Sequence, residues 1–175
     1  MRLVRLTSAY EFGSFDCGDD DLNEFLLEDA KKFLDKRIAN TFILEDEGSV
    51  AAYFCLLNDK ISRLEITNSR WRDIKDSFPE SKQFRSYPSI KIGRFAVGNN
   101  YKGQHLGSKL MDIIKDIVNK ECSYSAFRFL TVDAYLSAMN FYRQNGFLEL
   151  NQKDKDEHTR LMYYDMLSLA DRSTW

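Results

Sequence analysis

Residues 91–111 read Lys-Ile-Gly-Arg-Phe-Ala-Val-Gly-Asn-Asn-Tyr-Lys-Gly-Gln-His-Leu-Gly-Ser-Lys-Leu-Met, and residue types in this order suit the binding of an anion. A strand-like stretch ends, a polar turn follows, and a glycine-containing loop opens straight into a helix. The first amides of any α-helix lack carbonyl partners within it and lie at the positive end of its dipole, where a phosphate is stabilised. Gly103 and Gly107 keep side chains out of the approach. Gln104, His105, Leu106, Gly107 and Ser108 present the donor amides, the Ser108 hydroxyl can assist, and Lys102 brings a cation. Neither G-x-G-x-x-G nor G-x-x-x-x-G-K-[ST] occurs, which sets the loop apart from dinucleotide and P-loop sites. Taken alone, such a loop also fits a plain helix start.

A second cluster, Phe129-Leu-Thr-Val-Asp-Ala-Tyr-Leu-Ser-Ala-Met-Asn-Phe-Tyr-Arg-Gln-Asn-Gly-Phe, runs from a strand into a short helix carrying Phe141 and Tyr142, which Gly146 stops. Adjacent aromatics on a helix also fit one core residue beside one boundary residue.

These residues need a scaffold, and the hydrophobic periodicity supplies one. Arg2 to Leu6 reads as a strand. Leu22, Phe25, Leu26, Ala30, Phe33 and Leu34 recur at helical spacing behind Asp19-Asp20-Asp21, acids well placed at a helix N-terminus. Thr41 to Glu45 and Val50 to Leu57 flank Asp46-Glu47-Gly48-Ser49 as a hairpin. Asn58 to Tyr87 is less regular, with a polar loop from Asp76 to Ser86 and some helix before it. Ser89 to Val97 is a strand in which Gly93 marks a bulge or a close approach. Leu106, Leu110, Ile113, Ile114, Ile117 and Val118 form a helical stripe. Phe127 to Ala134 is a strand, Ala138 to Asn145 a helix, and Phe147 to Leu150 and Thr159 to Leu167 are strands. The expected fold class is α/β: one domain spanning residues 1–175, with a mixed, mostly antiparallel sheet flanked by helices.

Composition narrows the function classes. The 175 residues are 43% hydrophobic and 30% charged, which excludes a disordered chain. Cys17, Cys55 and Cys122 form no CxxC pair, and with only His105 and His158 no metal site can be assembled. Free thiols in a reducing cytoplasm are expected. There is no signal-peptide core and no apolar run of membrane-spanning length, so no membrane partner is expected. A net charge of −2 does not advertise nucleic-acid binding for the chain as a whole. Arg63, Arg70, Arg72, Lys75, Lys82 and Arg85 are nevertheless numerous enough to form a local basic face.

The two clusters together resemble the GNAT family of N-acetyltransferases. The family's Arg/Gln-x-x-Gly-x-Gly/Ala loop corresponds to Lys102-Gly-Gln-His105-Leu-Gly107, with Lys102 in place of the usual Arg or Gln and His105 in place of the first glycine. Its second signature corresponds to Ala138, Phe141, Tyr142, Gly146 and Phe147. The resemblance implies a sheet splayed between the central parallel strands and direct acetyl transfer from acetyl-CoA, as co-substrate, to a primary amine. It further implies that the backbone of Phe95, Ala96 and Val97 pairs with the pantetheine arm, that the Val97 amide polarises the thioester oxygen, and that Tyr142 is the general acid. No general base is identifiable: Asp133, Glu45 and a water are all open. Phe15-Asp-Cys-Gly-Asp-Asp-Asp-Leu-Asn-Glu-Phe-Leu is similar to the branch that contains toxins acetylating aminoacyl-tRNA. That branch implies tRNA as acceptor and leaves room for an antitoxin and a homodimer. A small amine, a protein N-terminus, and a non-catalytic acyl-CoA-binding GNAT fold remain the alternatives.

Overall fold

A computed structural model of the chain describes residues 1–64, 66–76, 78, 84–121, 125–150 and 158–170. Cys122, Lys82 and much of the loop expected from Asp76 to Ser86 lie outside these residues. Seven strands, β1 (Arg2–Arg5), β2 (Asn40–Asp46), β3 (Ser49–Ser62), β4 (Ser86–Val97), β5 (Phe129–Tyr135), β6 (Leu148–Glu149) and β7 (Thr159–Asp165), form one sheet in the order β1-β2-β3-β4-β5-β7-β6. It is an open, mostly antiparallel α/β sheet with a parallel pair. The chain's contacts divide it into two compact units, Met1–Leu57 with Ile92–Ile113, and Asn58–Lys91 with Ile114–Trp175. Strands β3 and β4 contribute to both.

In the first unit β1 and β3 flank β2 antiparallel, with Arg2 opposite Glu45 and Phe42 opposite Phe54. The register slips between Leu44 and Glu45, whose partners are Ala52 and Val50, so Ala51 is the extra residue of a bulge. The connecting turn places both Glu47 (φ 48°) and Gly48 (φ 81°) in the left-handed region, the geometry that matches strand twist in a two-residue hairpin. The acidic helix is α1 (Asp20–Glu24), continued through a π-helical turn (Phe25–Asp29) into α2 (Ala30–Asp35). Asp19 caps it by accepting the Leu22 amide at 3.1 Å. It ends in a Schellman motif: Ile38 N–H reaches Phe33 O and Arg37 N–H reaches Leu34 O, both at 2.9 Å. Arg37 takes the left-handed position (φ 56°) that glycine usually fills, so the stop carries no sequence signal. Phe25, Leu26 and Ala30 bury the apolar stripe around Tyr53, whose hydroxyl donates to Leu22 O at 2.6 Å.

The second unit pairs β5 with β7 antiparallel from Phe129↔Asp165 to Tyr135↔Thr159, and adds β6 to the far side of β7. Helix α3 (Asn68–Lys75), capped by Thr67, buries Trp71 and Ile74 beside Ile61, Tyr87, Phe129 and Tyr163. The strand expected to end at Leu57 continues to Ser62, because its polar residues find partners there: Asp59 accepts the Thr131 hydroxyl at 2.8 Å. A short helix α6 (Leu167–Ala170), absent from the periodicity, follows β7.

Candidate active site

Strand β4 carries one set of the candidate residues. Gly93 is a close approach: a Cβ there would lie 2.6 Å from Leu57 Cδ2 and 3.0 Å from Cys55 Sγ. Beyond it, Ala96 is buried and Phe95 and Val97 are half-buried. The strand ends where Gly98 N–H donates to the bulged carbonyl of Ala51 at 2.9 Å. A Cβ on Gly98 would stand 3.2 Å from that oxygen, tighter than side chains normally tolerate. One 3-10 turn (Asn99–Tyr101) and a four-residue turn then lead into α4 (Leu106–Glu121).

Within that turn Gly103 (φ 75°) and His105 (φ 57°) are both left-handed. Alternating hand curls the backbone so that successive N–H groups converge on one concavity, which suits an anion. Helical bonding begins with Lys109 N–H to His105 O at 3.2 Å, so the amides just before Lys109 sit at the free end of a 16-residue helix. Gln104 and His105 are exposed, Gly107 and Ser108 half-buried, and Leu106 anchors the helix in the core. The departure at His105 therefore has a backbone consequence. The position calls for glycine, and a side-chain-bearing residue there costs roughly 1–2 kcal/mol. Lys102 donates its ammonium to Cys17 O at 2.6 Å, and Gln104 Nε2 donates to Asn100 O at 3.1 Å. Both side chains thus hold the loop to the chain itself.

The other candidate residues lie in the second unit. Ala138 ends a 3-10 turn (Leu136–Ala138) and stands as N-cap to α5 (Met139–Gln144), which carries Phe141 and Tyr142. Tyr142 is 6% exposed, edge-on to Phe141 at 5.2 Å and to Phe147 at 5.4 Å. Burial pushes its phenol well above the usual tyrosine range, so the proton stays on the oxygen at neutral pH. The turn after α5 folds tightly: Asn145 and Phe147 N–H groups both donate to Tyr142 O at 3.0 Å. Gly146 (φ 85°) is required twice over, by its backbone and because a Cβ would meet Tyr164 Cε2 at 3.0 Å.

Two sets of contacts in these surroundings carry no sequence signal. Lys115, 7% exposed on the apolar side of α4, donates to Asn145 O at 2.7 Å and lies 4.3 Å over the Tyr164 ring. It holds the turn that follows Tyr142, yet in sequence it is one more helix lysine. Asp16 and Asn99 meet at 2.8 Å across 83 residues of chain. Only the fold brings them together.

The carboxylates open as bases have partners of their own. Glu45 accepts Arg2 at 2.8 Å and Tyr10 Oη at 2.9 Å, and these bonds lower its pKa. Asp133 forms an ion pair with Lys91. Of the basic residues, Arg63 and Arg85 are both exposed and adjacent, joined by an N–H to carbonyl bond of 3.0 Å. Arg70 lies 3.6 Å from Asp73, while Arg72 leaves the opposite side of α3 about 200° round the helix from it. The described residues contain no group of three or more His, Cys, Asp or Glu able to hold a metal ion, and no helix long and apolar enough to cross a membrane.

Comparison with known proteins bears on the family and the fold. Residues 82–168 match the family described as the acetyltransferase (GNAT) domain. Among solved structures, a bacterial toxin superposes with a TM-score of 0.84 at 16% identity, over 99% of this chain and 96% of that one. A Tyr-to-Phe mutant of the toxin AtaT, bound to the C-terminus of the antitoxin AtaR and acetyl-CoA, does so with 0.76 at 22% identity, over 99% and 98%. AtaT complexed with acetyl-methionyl-tRNAfMet gives 0.76 at 22% identity, over 99% of both chains. Residues 82–168 thus carry an acetyltransferase domain of the GNAT family.

Proposed function

We propose that this chain is an acetyl-CoA-dependent N-acetyltransferase whose acceptor is the primary amine of an aminoacyl-tRNA. The observation that carries the reading is the left-handed turn at Gly103 and His105, which opens a long helix amide-first onto solvent. Nothing lies within 4 Å of the place a Gly103 Cβ would take, so a diphosphate meets no side chain there. Gln104, His105, Leu106, Gly107 and Ser108 would hold the diphosphate through backbone N–H groups, and Phe95, Ala96 and Val97 the pantetheine arm through theirs. When bound, acetyl-CoA supplies the acetyl group on a thioester. The Val97 amide is the donor assigned to the carbonyl oxygen. Ala138 and Phe141 complete the cofactor-binding set.

Tyr142 keeps its phenolic proton at neutral pH and so has a proton to donate as the thiolate departs. With Glu45 and Asp133 engaged elsewhere, the amine reaches its neutral form through a water. The exposed pair Arg63 and Arg85 supports a nucleic-acid acceptor, as does the fold shared with a toxin solved with acetyl-methionyl-tRNA. The experiment is acetyl transfer from labelled acetyl-CoA to a set of charged tRNAs and, in parallel, to small amines and peptide N-termini. Label on the aminoacyl group alone supports the reading. Label only on small amines or peptides refutes the acceptor and keeps the enzyme. No calorimetric binding of acetyl-CoA refutes both.

A further inference from the structure

The segment Phe15-Asp-Cys-Gly-Asp-Asp-Asp-Leu-Asn remains unexplained by the chemistry above, yet its polar atoms converge on the stretch that leads into the amide-presenting turn. We propose that residues 15–23 are a brace that presets the 102–108 turn for the diphosphate, with Asp16 as its positioning residue; this rests on the acetyl-CoA reading of that turn.

The bonds describe the brace. Asp16 Oδ1 accepts Gly18 N–H at 2.7 Å and Asn23 Nδ2 at 3.1 Å, which folds residues 16–18 back on the start of α1. Asn23 Oδ1 accepts Cys17 N–H at 2.9 Å, closing the fold from its other side. The outward face of the same segment grips β4's exit at three points. Asp16 Oδ2 accepts Asn99 Nδ2 at 2.8 Å, Asp16 O accepts Asn99 N–H at 2.9 Å, and Cys17 O accepts the Lys102 ammonium at 2.6 Å. Phe15 and Cys17 are buried, and Phe15 packs edge-on to Tyr53 at 5.5 Å, fixing the segment to the core. Gly18 is left-handed (φ 78°), and a Cβ on it would come to 3.3 Å from Asn99 Oδ1 and 3.5 Å from Lys102 Nζ, inside the grip itself.

The physical need is clear. Left-handed His105 and the exposed turn are held by few contacts of their own, and a turn that must be ordered on binding loses affinity to conformational entropy. Tying Asn99 and Lys102 before the ligand arrives removes part of that cost. The Lys102 ammonium, bound to Cys17 O, then serves as a tether on the turn rather than as the direct phosphate ligand.

The test compares Asp16→Ala, Asn99→Ala, their combination and Tyr53→Phe. Tyr53→Phe removes the hydroxyl that holds Leu22 O at the far end of the segment, keeps the ring against Phe15, and leaves the bonds to Asn99 and Lys102 in place. Calorimetry with acetyl-CoA, thermal melting, and kcat at saturating acetyl-CoA are read on each. The brace predicts that Kd rises about tenfold in each brace variant, that the double variant is no weaker than the weaker single, and that kcat stays within twofold. Tyr53→Phe lowers Tm but leaves Kd unchanged. Asn99 is exposed and its alanine variant is expected to retain the fold, so the test stands even where Asp16→Ala melts. Wild-type binding with unchanged Kd in Asn99→Ala, or a Tyr53→Phe loss equal to that of the brace variants, overturns the brace and spares the acetyl-CoA reading. Absence of binding by the wild type overturns both.

Discussion

Replacing Tyr142 by Phe isolates one proton. The ring sits 6% exposed between Phe141 and Phe147, and phenylalanine fills the same space, so packing is conserved. At pH 7 an ordinary phenol, with a pKa near ~10, is ionised to about one part in a thousand. Burial raises this one further, so essentially every molecule carries the donor proton. A positioned general acid contributes roughly 10²–10⁴ in rate, equivalent to about 3–5 kcal/mol of transition-state stabilisation at 1.36 kcal/mol per decade. The variant is therefore expected to lose 10²–10⁴ in kcat, with acetyl-CoA Kd within twofold and Tm within about 3 °C, the equivalent of roughly 1 kcal/mol. Stopped assays of acetyl transfer, calorimetry and a melt on the same preparation decide the matter. Turnover within threefold of wild type would falsify the acid assignment and leave Tyr142 as a packing residue. A large fall in Tm together with a large rise in Kd would equally refute the reasoning, by showing that the hydroxyl supports the fold.

Four further outcomes are expected. His105→Gly relieves a left-handed residue at a cost in chain entropy, a net gain of up to about 1 kcal/mol, so Tm holds or rises by as much as about 3 °C; a fall shows that the imidazole supports the turn. Gly146→Ala combines a φ of 85° with a 3.0 Å contact to Tyr164 and should destabilise by about 2 kcal/mol or more, lowering Tm by roughly 4–8 °C; a shift under 1 °C contradicts the geometry. Tyr10, pushed up to about 12 by burial and by its bond to the Glu45 carboxylate, contributes stability that is complete below the unfolded phenol pKa near ~10 and is lost as pH rises towards 12. Urea midpoints from pH 8 to 12 should fall less steeply in Tyr10→Phe, and parallel curves refute the shift. At the acid end Asp16, held down chiefly by the Gly18 amide and then by Asn23, stabilises above the unfolded carboxylate range and ceases to do so as pH falls through its lowered folded value.

What the sequence determined by itself were the features written in local pattern. The stripe from Leu106 to Val118 had to be a helix because only a 3.6-residue period puts those side chains on one face. Asp46-Glu47-Gly48-Ser49 had to be a turn, and Gly146 had to close α5, because the backbone there demands residues free to turn. The residue types at 102–108 and at Tyr142 stood in the sequence as candidates only, since a sequence names a loop and a phenol but not what they face. Tertiary structure decided the rest. Arg37 and His105 occupy left-handed positions that carry no glycine signal, because surrounding bonds impose the conformation. Asp59 became part of a strand through Thr131, 72 residues away, and Lys115 found a carbonyl at Asn145 that no period reveals. Asp16 looked like one acid in a cluster of acids, and its meeting with Asn99 exists only in three dimensions. Local pattern encodes the conformation of neighbours along the chain, whereas partners distant in sequence are chosen by the packing that brings them within hydrogen-bond reach.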